Sequence, residues 1–308
     1  MRFERFAFRE PALTLFANRQ KVSLFRWLTR KVPPLFLCGG DIMTTGPMVT
    51  GYHEPEVLQV LAFLARSGFE RALVDVGANI GLITWHSRDW FRAFHCFEPN
   101  PRMFNVLTAN LAAVSGAEGP DFHLHNFGLG DRDETSVLSV PRRNQGGAFI
   151  AGPANAYGAD VLEARKRTEA GMMQVTVDIR RGRDIFADLF AAMPDGGFVV
   201  KIDTEGFEQV IMREIAAAMP SGAKIAIVFE NLQAGLDAPA LMRTLGLTGS
   251  ALKLADNLDN VGSRFAKEVI KLTRGKSFRL TDQPADWLGT VVFIAAKDGA
   301  RVRSASVM

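Results

Sequence analysis

Cysteine is scarce in this sequence, with Cys38 and Cys96 the only two in 308 residues. That scarcity excludes a disulfide framework and a cysteine-based metal site, and Cys96, inside the apolar stretch AFHCFEP, reads as a buried thiol. A reducing, cytoplasmic setting is the expectation. Long apolar runs are missing too: no window reaches the roughly 18 residues of a membrane-spanning helix. The opening MRFERFAFREPALTLF carries Glu4, Arg5, Arg9 and Glu10 where a secretory signal has an uninterrupted apolar core. No run of Lys and Arg interleaved with aromatics occurs, so the formal net charge of +3 reads as a solvated surface and not a nucleic-acid face. No internal repeat is present. What is there, 47% hydrophobic and 22% charged residues, is ordinary globular composition with enough apolar mass for a sizeable core.

Residues 1 to 50 read as an N-terminal helical appendage, with Leu13, Leu15, Phe16, Val22, Leu24, Phe25 and Leu28 at mixed helical spacing and a closing pair, Pro33 and Pro34. This helix is expected to pack on the domain or, in a homo-oligomer, on a second copy, in preference to lying on a membrane. From 51 to about 300 the pattern is regular: EPEVLQVLAFLARSG has helical period, RALVDVG is a short apolar run, NIGLITWHSRDWF is helical and AFHCFEP is another apolar run. Strand alternating with helix is the mark of an α/β domain with a parallel sheet. The alternation continues through PRMFNVLTANLAAVSG, the strands DFHLHNFGLG and GFVVKID, the helix EGFEQVIMREIAAAM and the strand AKIAIVFEN. SFRLT and WLGTVVFIAAK are expected to form an antiparallel hairpin at a sheet edge. Residues 141 to 172 lack an apolar period and read as a long loop on the substrate side, with Arg142, Arg143 and Asn144 as its polar groups.

The turn in VDVGANIGLITW follows the first of these strands, where a parallel sheet collects ligands. Gly77 and Gly81 permit close approach and a sharp turn into the helix, whose N–H groups are expected to face an anion; Asp75 and Asn79 offer acceptors to a cationic amine. A nicotinamide dinucleotide asks for G-x-G-x-x-G, but Asn79 stands at its second glycine and Leu82 at its third. S-adenosylmethionine has no phosphate to cradle, and its amino-acid end suits an acid plus bare backbone. Glu98 closes the next strand, where an acid accepts from both ribose hydroxyls; taken alone, it reads equally as an acid at the start of a helix.

The stretches VDVGANIGLIT, FEPNPRMFNVLTANL, NFGLGDRDETSVLSV and VVKIDTEGFEQVI, preceded by GYHEPEVLQVL, together resemble the successive motifs of the FkbM-type S-adenosylmethionine-dependent methyltransferases over about residues 51 to 235. Thr204 and Gly130 are small departures from that pattern. The resemblance implies a doubly wound class I, Rossmann-like domain with a mostly parallel seven-stranded sheet, and O-methylation of a small-molecule, sugar or glycan hydroxyl. It assigns Asp75, Gly77, Asn79 and Gly81 to the methionine end of the cofactor and Glu98 to the ribose. The segment from Asn126 to Asp131 becomes the wall near adenine; Glu54, followed by Pro55 in the first turn, reads first as an acid that opens a helix, with a place at the border of the pocket as the alternative.

Methyl transfer to a hydroxyl needs the acceptor aligned and its proton removed. Asp203 and Glu205, after the strand GFVVKID, and Glu230, closing AKIAIVFEN, are the candidate bases; a magnesium ion held by these three is the alternative. Period-2 spacing puts Lys201 and Asp203 on one side of the strand as an ion pair, and three-residue spacing puts Glu205 and Glu208 on one helix face, with Glu208 read as a helix-end acid. His53 and His86 are further candidate bases, whereas His95, His123 and His125 read as packed strand residues. The Asn/Asp-Pro-Pro-aromatic motif of amino-methylating enzymes is absent after the fourth strand. Two other functions remain open on the residues: a nicotinamide-dependent oxidoreductase, or a non-catalytic cofactor-binding module.

Overall fold

The run ALVDV is buried at every position and forms β1 (Ala72–Val76). A strand covered on both faces reads as an unbroken apolar run, because both of its side-chain rows meet apolar partners. The computed structural model describes residues 2–3, 9–10, 12–29, 47, 53–116, 119–142, 144–152, 155, 172–233, 235–258, 261–273, 276–297 and 306–307. Cys38, Pro33, Pro34, Arg143 and most of the second half of the 141–172 loop lie outside them.

Ahead of β1 come α1 (Ala12–Thr29) and α2 (Pro55–Leu64). Pro55 sits in the first turn of α2, where its missing N–H has no helical partner to lose. After β1 follow α3 (Leu82–Ser87), β2 (Ala93–Phe97), α4 (Pro101–Ala112) and β3 (Asp121–His125). Asn100 caps α4, its side chain accepting from the Arg102 N–H. Next are β4 (Gly128–Gly130), β5 (Glu134–Pro141), β6 (Phe149–Ile150), β7 (Met172–Arg181) and α5 (Gly182–Ala192). The chain continues through β8 (Gly196–Ile202), α6 (Glu208–Ala218), β9 (Lys224–Asn231), α7 (Ala238–Thr244) and β10 (Leu247–Asp256). It closes with α8 (Arg264–Thr273), β11 (Lys276–Thr281) and β12 (Gly289–Lys297).

The main sheet runs β11, β10, β12, β9, β8, β1, β2, β3, with Arg9–Glu10 as a short ninth strand beside β11. The five strands from β9 to β3 are parallel, whereas β12 is antiparallel to both β9 and β10. The chain builds outward from β1 to β3, then returns to lay β8 on the other side of β1. That reversal opens a crevice at the carboxyl ends of β1 and β8. The expected hairpin does not form: β10 lies between β11 and β12, antiparallel to each. Seven strands carry the doubly wound order, and β11 and Arg9–Glu10 extend it.

Two apolar layers sandwich the sheet. Ala72, Val74 and Val76 face one layer with Ile202, Ile211 and Ile215, while Leu73 faces the other with Leu61, Leu64 and Leu107. The segment DFHLHNFGLG, expected as one strand, breaks at Asn126–Phe127, and β4 joins a second sheet of order β4, β7, β5, β6. The described part of the 141–172 loop contributes a 3-10 turn at Gln145–Gly147 and the short β6. Helix α1 packs beside α8, where Arg19 approaches Glu268 at 3.4 Å. Among the described residues no helix is long and apolar enough to cross a membrane.

Candidate functional site

A cavity of about 200 Å³ opens where the strand order reverses. Its floor is the turn after β1. Gly77 has φ 83°, and a Cβ there would be driven into the Asp203 carbonyl oxygen, so glycine lets the ends of β1 and β8 approach. The Asp203 N–H donates to the Val76 carbonyl at 2.9 Å, closing that contact. The N–H groups of Gly77 and Ala78 donate to the Phe97 carbonyl at 2.9 and 3.1 Å, that of Asn79 to Glu98 Oε2 at 2.8 Å, and that of Gly81 to the Ala78 carbonyl at 2.9 Å. These four N–H groups of the turn are engaged within the protein, whereas Leu82 and Ile83, the first residues of α3, line the cavity. Asn79, at φ 52°, lines the cavity and keeps a buried Oδ1 with no hydrogen-bond partner. Gly81 lies outside the lining; a Cβ there would meet Leu107 Cδ1 at 2.5 Å, so its smallness serves the packing of α3 on α4.

Asp75 sits beneath the cavity and does not line it. Period-2 alternation turns its side chain to the same layer as Leu73, where it is fully buried, and Oδ2 accepts from Thr84 Oγ1 at 2.9 Å. Its Oδ1 accepts no hydrogen bond and stands 3.5 Å from Lys201 Nζ. Lys201 pairs across the strands with Asp75 in register and lines the cavity, with Nζ 3.2 Å from Asp203 Oδ2, which is the ion pair expected from the strand spacing. Burial opposes the Lys201 charge, but Asp203, Asp75 and Glu54 outweigh it and hold its pKa above the ordinary lysine value.

Glu98 also lines the cavity, and its oxygens accept one backbone N–H each, from Asn79 and Asn100, both at 2.8 Å. Burial pushes its carboxyl up to about 7 against the pull of those two donors. Asn126 is outside the lining and tethers the chain instead, donating to the Glu98 carbonyl at 2.8 Å; from its segment, Gly128 and Leu129 form the wall. Leu138, Ile150 and Ile179 of the second sheet complete that apolar wall. The alternation in ETSVLSVP and QVTVDIRR is the available signal for Leu138 and Ile179.

Asp203, Glu205 and Glu230 all line the cavity. Glu205, at φ 53°, accepts at its carbonyl from Asn155 Nδ2 at 3.0 Å, and the same amide donates to the Ile150 carbonyl at 2.8 Å. Asn155 thus pins the loop after β5 against the end of β8, and Asn144 and Gln145 face the cavity from that loop. Glu205 and Glu208 do not share a helix face, because α6 begins only at Glu208. Glu208 closes the turn before it, accepting from the N–H groups of Thr204 and Gly206, each at 3.1 Å. A second chamber of about 110 Å³ adjoins the first: Glu54, Lys201, Asp203 and Glu230 line both, and Glu56, Phe229 and Thr290 belong to the smaller one.

His53 lines the larger cavity and is lowered to about 4 by burial and then by Lys201, so it is neutral at pH 7. His86 lies outside the lining. His95 and His123 stack with ring centroids 4.5 Å apart on β2 and β3, with His125 beside them, as packed strand residues. Cys96 is a buried free thiol. Among the described residues, no three His, Cys, Asp or Glu side chains converge as a metal ion would require.

The Methyltransferase FkbM domain model matches residues 75–230. Among solved structures, precorrin-6y C5,15-methyltransferase from Geobacter metallireducens GS-15 is similar at 15% identity and TM-score 0.36, over 79% of this chain and 88% of that one. A SAM-dependent methyltransferase from Leishmania major is similar at 11% identity and TM-score 0.37, over 90% and 82%. One from Agrobacterium tumefaciens is similar at 6% identity and TM-score 0.38, over 79% and 63%. No curated protein matches the sequence.

Proposed function

The chain belongs to the Methyltransferase FkbM domain family, and from that premise we propose that it transfers the methyl group of S-adenosylmethionine to a hydroxyl of a sugar, glycan or natural-product acceptor. Glu98 carries the reading. It lines the crevice at the end of β2, and each oxygen accepts a single backbone N–H, which leaves lone pairs for two vicinal ribose hydroxyls. The buried, unpartnered Oδ1 of Asn79 is an acceptor suited to an ammonium group. The turn spends the N–H groups of Gly77, Ala78, Asn79 and Gly81 internally and carries Asn79 and Leu82 where a pyrophosphate turn has glycines, which favours a donor without phosphate.

When bound, the sulfonium supplies an activated methyl carbon. The chain's residues do the rest: Glu98 and Asn79 hold the two ends of the donor, with Gly77 allowing close approach. Leu129, Leu138 and Ile150 exclude water, and Asp203, Glu205 and Glu230 set carboxylates around the crevice where the acceptor hydroxyl gives up its proton. Asp75 acts through Lys201, fixing the ammonium that positions Asp203. Gly81 and Asn126 support the same pocket from outside its lining. The near absence of cysteine supports a reducing, cytoplasmic setting, and the exposed Phe16, Leu24 and Trp27 of α1 support a homo-oligomer.

The test is differential binding. S-adenosylhomocysteine should raise the melting temperature through ligand linkage while NAD does not; stabilisation by NAD alone would sink the reading. Incubation with labelled S-adenosylmethionine and a panel of sugars and glycans, with products mapped by mass spectrometry, then identifies the acceptor.

A further inference from the structure

We infer that Glu54 is the group that takes the proton from the acceptor hydroxyl, an inference that rests on the methyl-transfer reading above. Glu54 opens α2, yet its side chain makes no capping hydrogen bond; only its carbonyl is used, accepting from the Leu58 N–H at 3.0 Å. The carboxylate is therefore not the hydrogen-bonding cap of that helix. The backbone is left-handed, φ 44° and ψ 61°, a conformation that glycine adopts freely and a side chain strains. A charged side chain is kept at a position where local structure favours none.

Its placement supplies the reason. Glu54 lies on the wall common to the two chambers, between the donor cavity and the smaller pocket, and its Oε1 stands 3.7 Å from His53 Nε2. Of the other acids, Asp203 is held in an ion pair with Lys201, so protonating it would break that pair. Glu205 lines the donor cavity alone, and Glu230 is solvent-exposed at the rim.

The titratable groups around Glu54 are the neutral His53 beside it, Glu56 on α2, Lys201 and Asp203 at the end of β8, and Glu230 on β9. Desolvation first, and then Asp203, push its carboxyl up to about 7, with Glu56 and Glu230 adding and Lys201 opposing; the side chain is 38% exposed, so solvent screens part of that push. That is the range in which a carboxylate both accepts and releases a proton near neutral pH. In the step itself the hydroxyl proton passes to the Glu54 carboxylate, and the O–H electron pair stays on the acceptor oxygen. Glu54 then returns the proton to solvent.

Glu54→Gln and Glu54→Asp test this, with a readout that needs neither donor nor acceptor. The folded state binds the Glu54 proton more tightly than the unfolded chain does. Its stabilisation is therefore full below the unfolded pKa of about 4.3 and is lost as pH rises through about 7. Glu54→Gln should melt above the wild type at pH 8, with the gap closing toward pH 5. S-adenosylhomocysteine affinity should be unchanged, and turnover on whichever sugar the wild type methylates should fall about 100-fold or more. Glu54→Asp should recover part of the rate with the acidic limb of its pH profile displaced. A Gln variant that melts at or below the wild type at pH 8, or turns over normally, overturns the assignment. Failure of the wild type to bind S-adenosylhomocysteine would strike the methyl-transfer reading instead.

Discussion

Lys201→Met should be among the most destabilising single changes at the site, and the reason lies beneath the cavity. Lys201 is 7% exposed at its side chain and Asp75 1%, whereas Asp203 is 37% exposed. Losing the ammonium leaves Asp203 to water, at little cost, but strands the Asp75 carboxylate in the interior with the Thr84 hydroxyl as its remaining donor. Breaking a buried pair this way costs about 3–5 kcal/mol, because an uncompensated charge stays inside. At about 2.1 cal/mol/K of unfolding entropy per residue, the 308-residue chain loses about 0.65 kcal/mol per degree, so melting should fall by about 5–8 °C. The double variant Asp75→Asn, Lys201→Met removes both charges and keeps an oxygen for Thr84, so it should recover more than half of that loss. The pKa of Lys201 is raised by folding, so its contribution is full below about pH 10.4 and is lost as pH climbs through the higher folded value. Calorimetric melting of both variants at pH 7 decides the matter. A single variant that melts with the wild type, or a double no more stable than the single, would refute a buried pair between β1 and β8.

Glu98→Ala should weaken S-adenosylhomocysteine binding by about 1–3 kcal/mol, the range for leaving hydroxyls without a partner; an unchanged Kd by calorimetry would reduce Glu98 to a helix-end acid. Gly77→Ala forces a Cβ toward the Asp203 carbonyl at φ 83°, so it should cost more than about 1 kcal/mol of stability and weaken ligand binding together; a wild-type urea midpoint would contradict the close approach. His53 is lowered to about 4 by burial, so its stabilisation is present above about pH 6.5 and is lost as pH falls toward 4. His53→Gln should flatten the melting profile across that window, and an unaltered slope would show that the imidazole is solvated.

The acids at the strand ends were legible because an acid ending an apolar run is a local signal: Glu98 and Asp203 stand where the sequence puts them, on the cavity. Asp75 carries the same signal but faces the helix layer, and only knowing that both faces of β1 are covered separates the two cases. Its partner Lys201 is 126 positions away in sequence and opposite it in register, a relation that follows from strand order and not from spacing. The second sheet was missed because its two long strands, β5 and β7, are separated by a loop that suggested no pairing. β10 was missed because Gly249 and Ser250 interrupt its apolar run. With β10 unseen, closeness in sequence argued for pairing β11 with β12.

Three non-glycine residues have positive φ among the described residues: Glu54, Asn79 and Glu205. They come from the start of α2 and from the ends of β1 and β8, yet all three line one cavity. Each conformation costs up to about 1–2 kcal/mol relative to glycine, less for Asn, whose short amide tolerates it. A sum of that order is a large share of the roughly 5–15 kcal/mol by which a domain is stable, and replacing any of the three by glycine would relieve its part. Asn79 shows what is gained by keeping a side chain. It occupies the position where a dinucleotide turn has its second glycine, adopts the left-handed backbone that glycine would, and adds an amide oxygen that no protein group satisfies. The local rule of glycine at positive φ is thus broken at three points that converge on one space, which is how a chain marks a site whose side chains serve a ligand more than they serve the fold.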